Sequence, residues 1–224
     1  MADNSTLKPI KLYGHLGPNP VKVDMVLREL GLPFEVVDIE FTAVKDPSYT
    51  AINPNGRMPS IHDPNTGLTL WESGAILEYL VAKYDPEHKL SFPEGSDDFF
   101  LAKQWLHYQV SGQGPYYGQA VHFTRNHPEK VPSAVERYMK EINRVTAVIE
   151  GHLERQQKLY EGKTDGPWVV GNKMSYVDFA FVPWQTYATK FLEEHGFDEN
   201  DYPLVKAWVD KLRARESVKI AMSL

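Results

Sequence analysis

"NPNGRMPSIHDPNTGLTLWESGAILEYL", Asn53 to Leu80, packs a turn, two strands, a hairpin and a helix start into one short run. The turn cluster "NPNGRMPSI" leads into a strand, "DPNTG" is a hairpin signal, and "GLTLW", Gly67 to Trp71, reads as the returning strand. Helical spacing of apolar residues then begins in "SGAILEYLVAKY". Two places in this run admit two readings. Pro59 after an extended Met58 is a plain turn before a strand, or a cis bond that leaves the Met58 N–H and C=O facing outward to pair with a peptide-like ligand. Ser73 is a helix cap beside a solvated Glu72, or the two form adjoining anion and cation sites, which match the charges of an α-amino acid.

Upstream of this run, "IKLY", Ile10 to Tyr13, is a strand candidate, and Val23, Val26, Leu27 and Leu30 follow at the spacing of a buried helix face. Gly31 and Pro33 stop that helix, and "FEVVDIE", Phe34 to Glu40, is a further strand. The β-α-β unit, hairpin and closing helix predict a small mixed four-stranded sheet with helices packed on it, the α/β part of the chain. "DPEHKLSFPEG" breaks the periodicity with prolines and charges, so a first domain is expected over residues 1–85, a linker over 86–95 and an all-helical domain over 96–224.

In that second region Phe99, Ala102, Trp105, Leu106 and Gln109 share a face, which Gly112, Gly114 and Pro115 interrupt with an expected kink. Val135, Tyr138, Ile142, Val145, Ile149 and Leu153 form a regular apolar stripe. Ser175 and Asp178 have the spacing of a capping box, and Leu204, Trp208 and Leu212 face inward from a last helix over Leu204 to Arg213.

The whole chain has 224 residues, 42% hydrophobic and 24% charged, as an ordinary packed protein has. A formal charge of -6 with no basic run argues against nucleic acid as a partner. No apolar run is long enough to span a bilayer, and "MADNSTLKPI" lacks the apolar core of a secretory signal, so a cytoplasmic protein with no membrane partner is expected. There is no cysteine, which excludes disulfides, thiolate metal sites and a protein thiol nucleophile; sulfur chemistry would need a thiol brought by a ligand. The eight histidines show no metal-ligand spacing, so no metal is expected, and G-x-S-x-G, G-x-G-x-x-G and G-x-x-x-x-G-K-[ST] are all absent.

In this order "LYGHLGPNPVKV", "NPNGRMP", "WESGAILEYL", "QWLHYQVSGQGP" and "YVDFAFVPW" resemble the glutathione transferase family over about Leu7 to Arg215. The pattern is most similar to a fungal subgroup related to a yeast nitrogen-catabolite regulator that can become a prion. That regulator's Asn- and Gln-rich leader is not seen here, so prion behaviour is not expected.

The resemblance implies a thioredoxin-like glutathione-binding domain, an all-helical domain that builds the electrophile pocket and dimer contacts, and a homodimer. It implies conjugation of glutathione to a small hydrophobic electrophile, with reduction of organic peroxides as a further activity and detoxification as the setting; the alternative is a glutathione-binding regulatory or assembly protein with little turnover. Residue by residue, Glu72 and Ser73 would hold the γ-glutamyl group, Met58 before Pro59 the cysteinyl part, and Lys45 and Arg57 the glycyl carboxylate. Asp178 would be the capping residue of the helical domain, and Tyr108 and Tyr116 are candidates for the electrophile pocket. Pro18 stands about where some classes carry a catalytic serine, which leaves Asn19, favoured by the fungal pattern, and Tyr13 as candidates for stabilising the thiolate. Asn19 before Pro20 also reads as a helix cap.

Overall fold

The computed structural model describes residues 6–223; Asn4 and Ser5 of "MADNSTLKPI" lie outside the described residues. Two compact units are present: residues 6–91 with 215–223, and Phe92–Ala214.

The first unit is built on a four-stranded sheet in the order β2-β1-β3-β4. β1 (Ile10–Tyr13) pairs parallel with β2 (Phe34–Val37) and antiparallel with β3 (Ser60–Asp63), which pairs antiparallel with β4 (Leu68–Trp71). The mixed sheet expected from the β-α-β unit and the hairpin is therefore the observed one. β2 ends at Val37, three residues short of the expected Glu40. A short helix, α2 (Pro47–Thr50), lies between β2 and β3. The hairpin is pinned by Asp63, whose carboxylate accepts from the Asn65 N–H at 2.8 Å and the Tyr79 hydroxyl at 2.6 Å, and also from the Tyr84 hydroxyl. Both tyrosines belong to α3 (Ser73–Tyr84), so one buried acid ties the turn to the following helix.

α1 (Pro18–Glu29) is buried from Pro20 to Leu27, with Lys22 and Asp24 included. The reason is that α1 packs against both α3 and the C-terminal helix α9 (Glu216–Ser223). Arg215 donates to both oxygens of Glu29, at 2.8 and 2.7 Å, and the Ser217 hydroxyl donates to the same carboxylate. The sequence reading stops at Arg213 and assigns the tail to the helical domain; instead the tail groups with the first unit. The expected linker is corrected too. Asp85 accepts from the N–H groups of Lys89, Leu90 and Ser91 at 2.8 to 2.9 Å, which folds the first half of that stretch into a compact turn of the first unit.

In the second unit, α4 (Asp97–Tyr108) is capped by Ser96, whose hydroxyl accepts from the Phe99 N–H at 3.2 Å. The interruption at Gly112, Gly114 and Pro115 does not end the helix. A π-helical turn, Gln109–Gln113, widens the backbone and passes directly into α5 (Gly114–Val121), where Pro115 lies in the first turn and has no N–H to lose. α6 (Pro132–Leu159) buries Ile142, Val145, Ile149 and Leu153, while Val135 and Tyr138 of the expected stripe are only half-buried. α7 (Tyr176–Leu192) begins with the capping box. The Asp178 carboxylate accepts from the Ser175 N–H and hydroxyl at 2.8 and 3.0 Å, from the Val169 N–H at 3.0 Å and from the Trp208 indole at 2.9 Å. Trp208 belongs to α8 (Pro203–Arg213), which buries Val205, Val209 and Leu212 beside it and leaves Leu204 half-buried.

No helix among the described residues is long and apolar enough to cross a membrane.

Candidate functional site

Strand register gathers the sequence motifs at one end of the sheet. Tyr13 is opposite Ser60 across β1 and β3, and Ser60 is opposite Trp71 across β3 and β4. The residues just outside these pairs are therefore neighbours: Gly14 after β1, Pro59 before β3 and Glu72 after β4. Gly14 adopts φ +81°, and a Cβ placed on it would lie 2.2 Å from the Met58 sulfur. Glycine holds this positive φ without strain, and a side chain in its place would have to push the Met58 side chain aside.

The turn before β3 is held from within. The Arg57 carbonyl accepts from the Asn53 amide at 2.6 Å and the Tyr49 hydroxyl at 2.8 Å, and the Tyr49 oxygen also lies 3.0 Å from the Ser60 hydroxyl. Asn53 in turn accepts from the Asn55 N–H at 3.0 Å. Lys45 donates to the Asn55 carbonyl at 2.8 Å over Gly56, whose φ of +58° and close Val44 carbonyl exclude a side chain. The Lys45 and Arg57 side chains are both exposed on this turn, and Met58 is half-buried. The Met58–Pro59 bond is cis, as one of the two sequence readings had it.

At the start of α3, Ser73 is not the cap residue, while Glu72 is solvated as the simple capping reading has it. The cap position is Glu72, with no side-chain cap bond, and Ser73 is the first helical residue. Glu72 takes φ 72° and ψ 114°, a backbone conformation uncommon outside glycine, and its side chain is exposed. The first intrahelical bond runs from the Ile76 N–H to the Glu72 carbonyl at 3.0 Å, so the N–H groups of Ser73, Gly74 and Ala75 precede it. They carry the positive end of a 12-residue helix dipole. Ser73 is buried, and its hydroxyl oxygen accepts from the Lys22 ammonium at 3.4 Å.

Tyr13 closes β1 and is half-buried. Asn19 does not precede the helix: Gly17, at φ 89°, is the cap residue, Pro18 is the first helical position, and Asn19 lies within the first turn. Pro at the first position suits the helix start, so the sequence rule holds one proline earlier than expected.

The second unit carries the other two candidates. Tyr108 donates to the Val145 carbonyl at 3.4 Å and meets Trp105 edge-on, and burial pushes its hydroxyl pKa up. Tyr116 is half-buried, with the Arg144 guanidinium 6.0 Å from its ring centre. Neither lines the cavity of about 620 Å³ in this unit, whose walls include Phe123, Val135 and Met139. No cluster of three or more potential metal ligands is present among the described residues.

Sequence reasoning missed Gly14, Tyr49, Asn53 and Lys22. The first three support a turn that motif spacing already marked. Lys22 carries a signal, a single cation inside the apolar helix stretch "PVKVDMV".

The model of the glutathione S-transferase N-terminal domain matches residues 8–82, and that of the C-terminal domain matches residues 115–216. The chain is 56% identical over 218 residues to the glutathione S-transferase-like protein tpcF of Aspergillus fumigatus, covering 97% of this chain and 96% of that protein. It is 34% identical over 241 residues to the transcriptional regulator URE2 of Saccharomyces cerevisiae, covering 95% of this chain and 67% of the regulator. Among solved structures, a glutathione transferase homologue from Lodderomyces elongisporus with two glutathione molecules per subunit superposes with a TM-score of 0.90 at 37% identity, covering 97% of this chain and 99% of that one.

Proposed function

The chain belongs to the glutathione transferase family, and from that premise we propose that it binds glutathione at the end of the sheet and transfers its thiolate to electrophiles. The observation that carries this reading is the meeting of Glu72, the leading N–H groups of α3 and the Met58 backbone at one sheet end, set by the Tyr13–Ser60–Trp71 register. Glu72 pairs with the ligand's ammonium, and Ser73 with the start of α3 receives the γ-glutamyl carboxylate. The Met58 N–H and C=O pair with the cysteinyl residue as an added strand would. Lys45 and Arg57, exposed on the preceding turn, take the glycyl carboxylate.

The chemistry this assigns to the protein is modest in size. A thiol of pKa about 8.5 is only a few per cent ionised at pH 7, and lowering it by about two units takes roughly 2.7 kcal/mol. An Asn19 amide donor, at about 1.5 to 3 kcal/mol toward an anion, and the first turn of α1, at about 0.3 to 2 kcal/mol, supply most of it. Tyr13 is the alternative donor. The thiol proton leaves to solvent and the sulfur forms a bond to an electrophilic carbon; an aryl halide then loses halide, whereas the π bond of an enone or isothiocyanate breaks and the adduct takes up a proton. With a hydroperoxide, two glutathione molecules are oxidised to their disulfide while the peroxide becomes an alcohol and water. Tyr108 and Tyr116 serve the electrophile. A cytoplasmic homodimer acting on small hydrophobic compounds, in detoxification, completes the reading.

The likeness to a transcriptional regulator favours a second reading, a glutathione-binding protein with little turnover. Binding is expected under both. Assay of the purified protein with glutathione and a panel of aryl halides, enones, isothiocyanates and hydroperoxides separates them: the transferase reading expects glutathione-dependent turnover on at least one, and none on any supports the regulator.

A further inference from the structure

A lysine in the middle of α1 is almost fully buried, with 2% of its surface exposed, a burial that lysines rarely reach. Its ammonium reaches the Ser73 hydroxyl, 51 positions away in sequence, at the first residue of α3. Given the glutathione reading above, on which this inference rests, we propose that Lys22 is a positioning residue for the γ-glutamyl carboxylate, acting through Ser73.

The donor inventory fixes the direction of the effect. An ammonium has only hydrogens to give, so the Ser73 oxygen accepts from Lys22 and its own hydrogen turns toward another acceptor. A carboxylate at the start of α3 is such an acceptor. It then receives the Ser73 O–H, the leading N–H groups of α3 and the field of a cation held behind the serine. The site without ligand already favours a negative neighbour: burial lowers the Lys22 pKa to about 7, and the Glu72 carboxylate acts against that fall. A second carboxylate holds the proton on Lys22 more firmly, and by reciprocity the charged lysine holds the carboxylate. Glu72 and Lys22 thus divide the amino-acid end of the ligand, with the acid serving its ammonium and the lysine, through Ser73, its carboxylate.

Calorimetry with S-methylglutathione, which has no thiol to titrate, tests this on the wild type and Lys22→Met. The wild type should bind, and Lys22→Met should bind about ten- to a hundredfold more weakly. A second ligand, the same analogue with its γ-glutamyl carboxyl converted to an amide, separates positioning from general support. It should bind the two proteins within about twofold of each other. Equal losses on both ligands, or an unchanged Lys22→Met affinity for S-methylglutathione, would overturn the role of Lys22 and leave the glutathione reading standing. No binding of S-methylglutathione by the wild type would instead remove the reading beneath it.

Discussion

Gly14 and Met58 approach so closely that a Cβ on Gly14 would fall 2.2 Å from the Met58 sulfur. Because Gly14 also holds φ +81°, Gly14→Ala meets two penalties at once: an unfavourable backbone and a displaced Met58. The expected cost is about 1 to 3 kcal/mol of stability by urea unfolding, with weaker glutathione binding as the displaced Met58 side chain crowds the turn. An unchanged unfolding midpoint and affinity would show that this contact does not set the site.

Lys22 gives the fold a pH signature. The unfolded chain keeps this proton up to the ordinary value of 10.5, the folded chain only to about 7. Between these values the unfolded state binds the extra proton, so the lysine's contribution makes the fold more stable as pH rises, by up to about 1.4 kcal/mol per pH unit. Below pH 7 both states are charged and the full burial cost is present. Urea unfolding of wild type and Lys22→Met from pH 7 to 9 should therefore show the difference moving in favour of wild type as pH rises. A pH-independent difference would contradict it.

Asp178 gathers three N–H donors, from Val169, Ser175 and Trp208, and the Ser175 hydroxyl. Asp178→Ala strands the three N–H groups in the core of the second unit, at about 1 to 3 kcal/mol each. A loss of at least about 3 kcal/mol is expected. Calorimetric melting that shows less than about 1 kcal/mol would mean that water or a shifted backbone replaces the acid.

Much of this was legible in the chain, and the limits have physical causes. Strands of four residues with turn signals on both sides, such as Ile10–Tyr13 and Leu68–Trp71, declare themselves locally. The Glu72–Ser73 pair and Pro59 were visible as candidates because turns and helix starts use few residue types. What stayed hidden depends on distant parts of the chain. Lys22 looks like a solvated helix position until α3 and α9 cover α1, and the place of α9 rests on Glu29 meeting Arg215, 186 positions away. The π-helical turn at Gln109–Gln113 was hidden because glycine and proline mark a break, while a widened turn absorbs it. Asn19 was misplaced as a cap because two prolines, Pro18 and Pro20, can each open a helix.

The Glu29–Arg215 pair predicts a stability effect confined to the first unit. Glu29→Ala removes a two-pronged guanidinium partner and the acceptor of the Ser217 hydroxyl. Because Arg215 is largely exposed, the expected loss is about 1 kcal/mol. Faster amide exchange in α9 should accompany it, while α7 and α8 keep their protection; uniform loss of protection would argue against a local clasp.

Transfer of the glutathione thiolate depends on the protein lowering the pKa of the bound thiol. Ultraviolet titration of the glutathione thiolate, bound to wild type, Asn19→Ala and Tyr13→Phe, measures that directly. A thiol about two units below its free value of about 8.5 is expected in wild type, with most of the shift lost in Asn19→Ala and little lost in Tyr13→Phe. Bound glutathione that titrates as it does in free solution would contradict it.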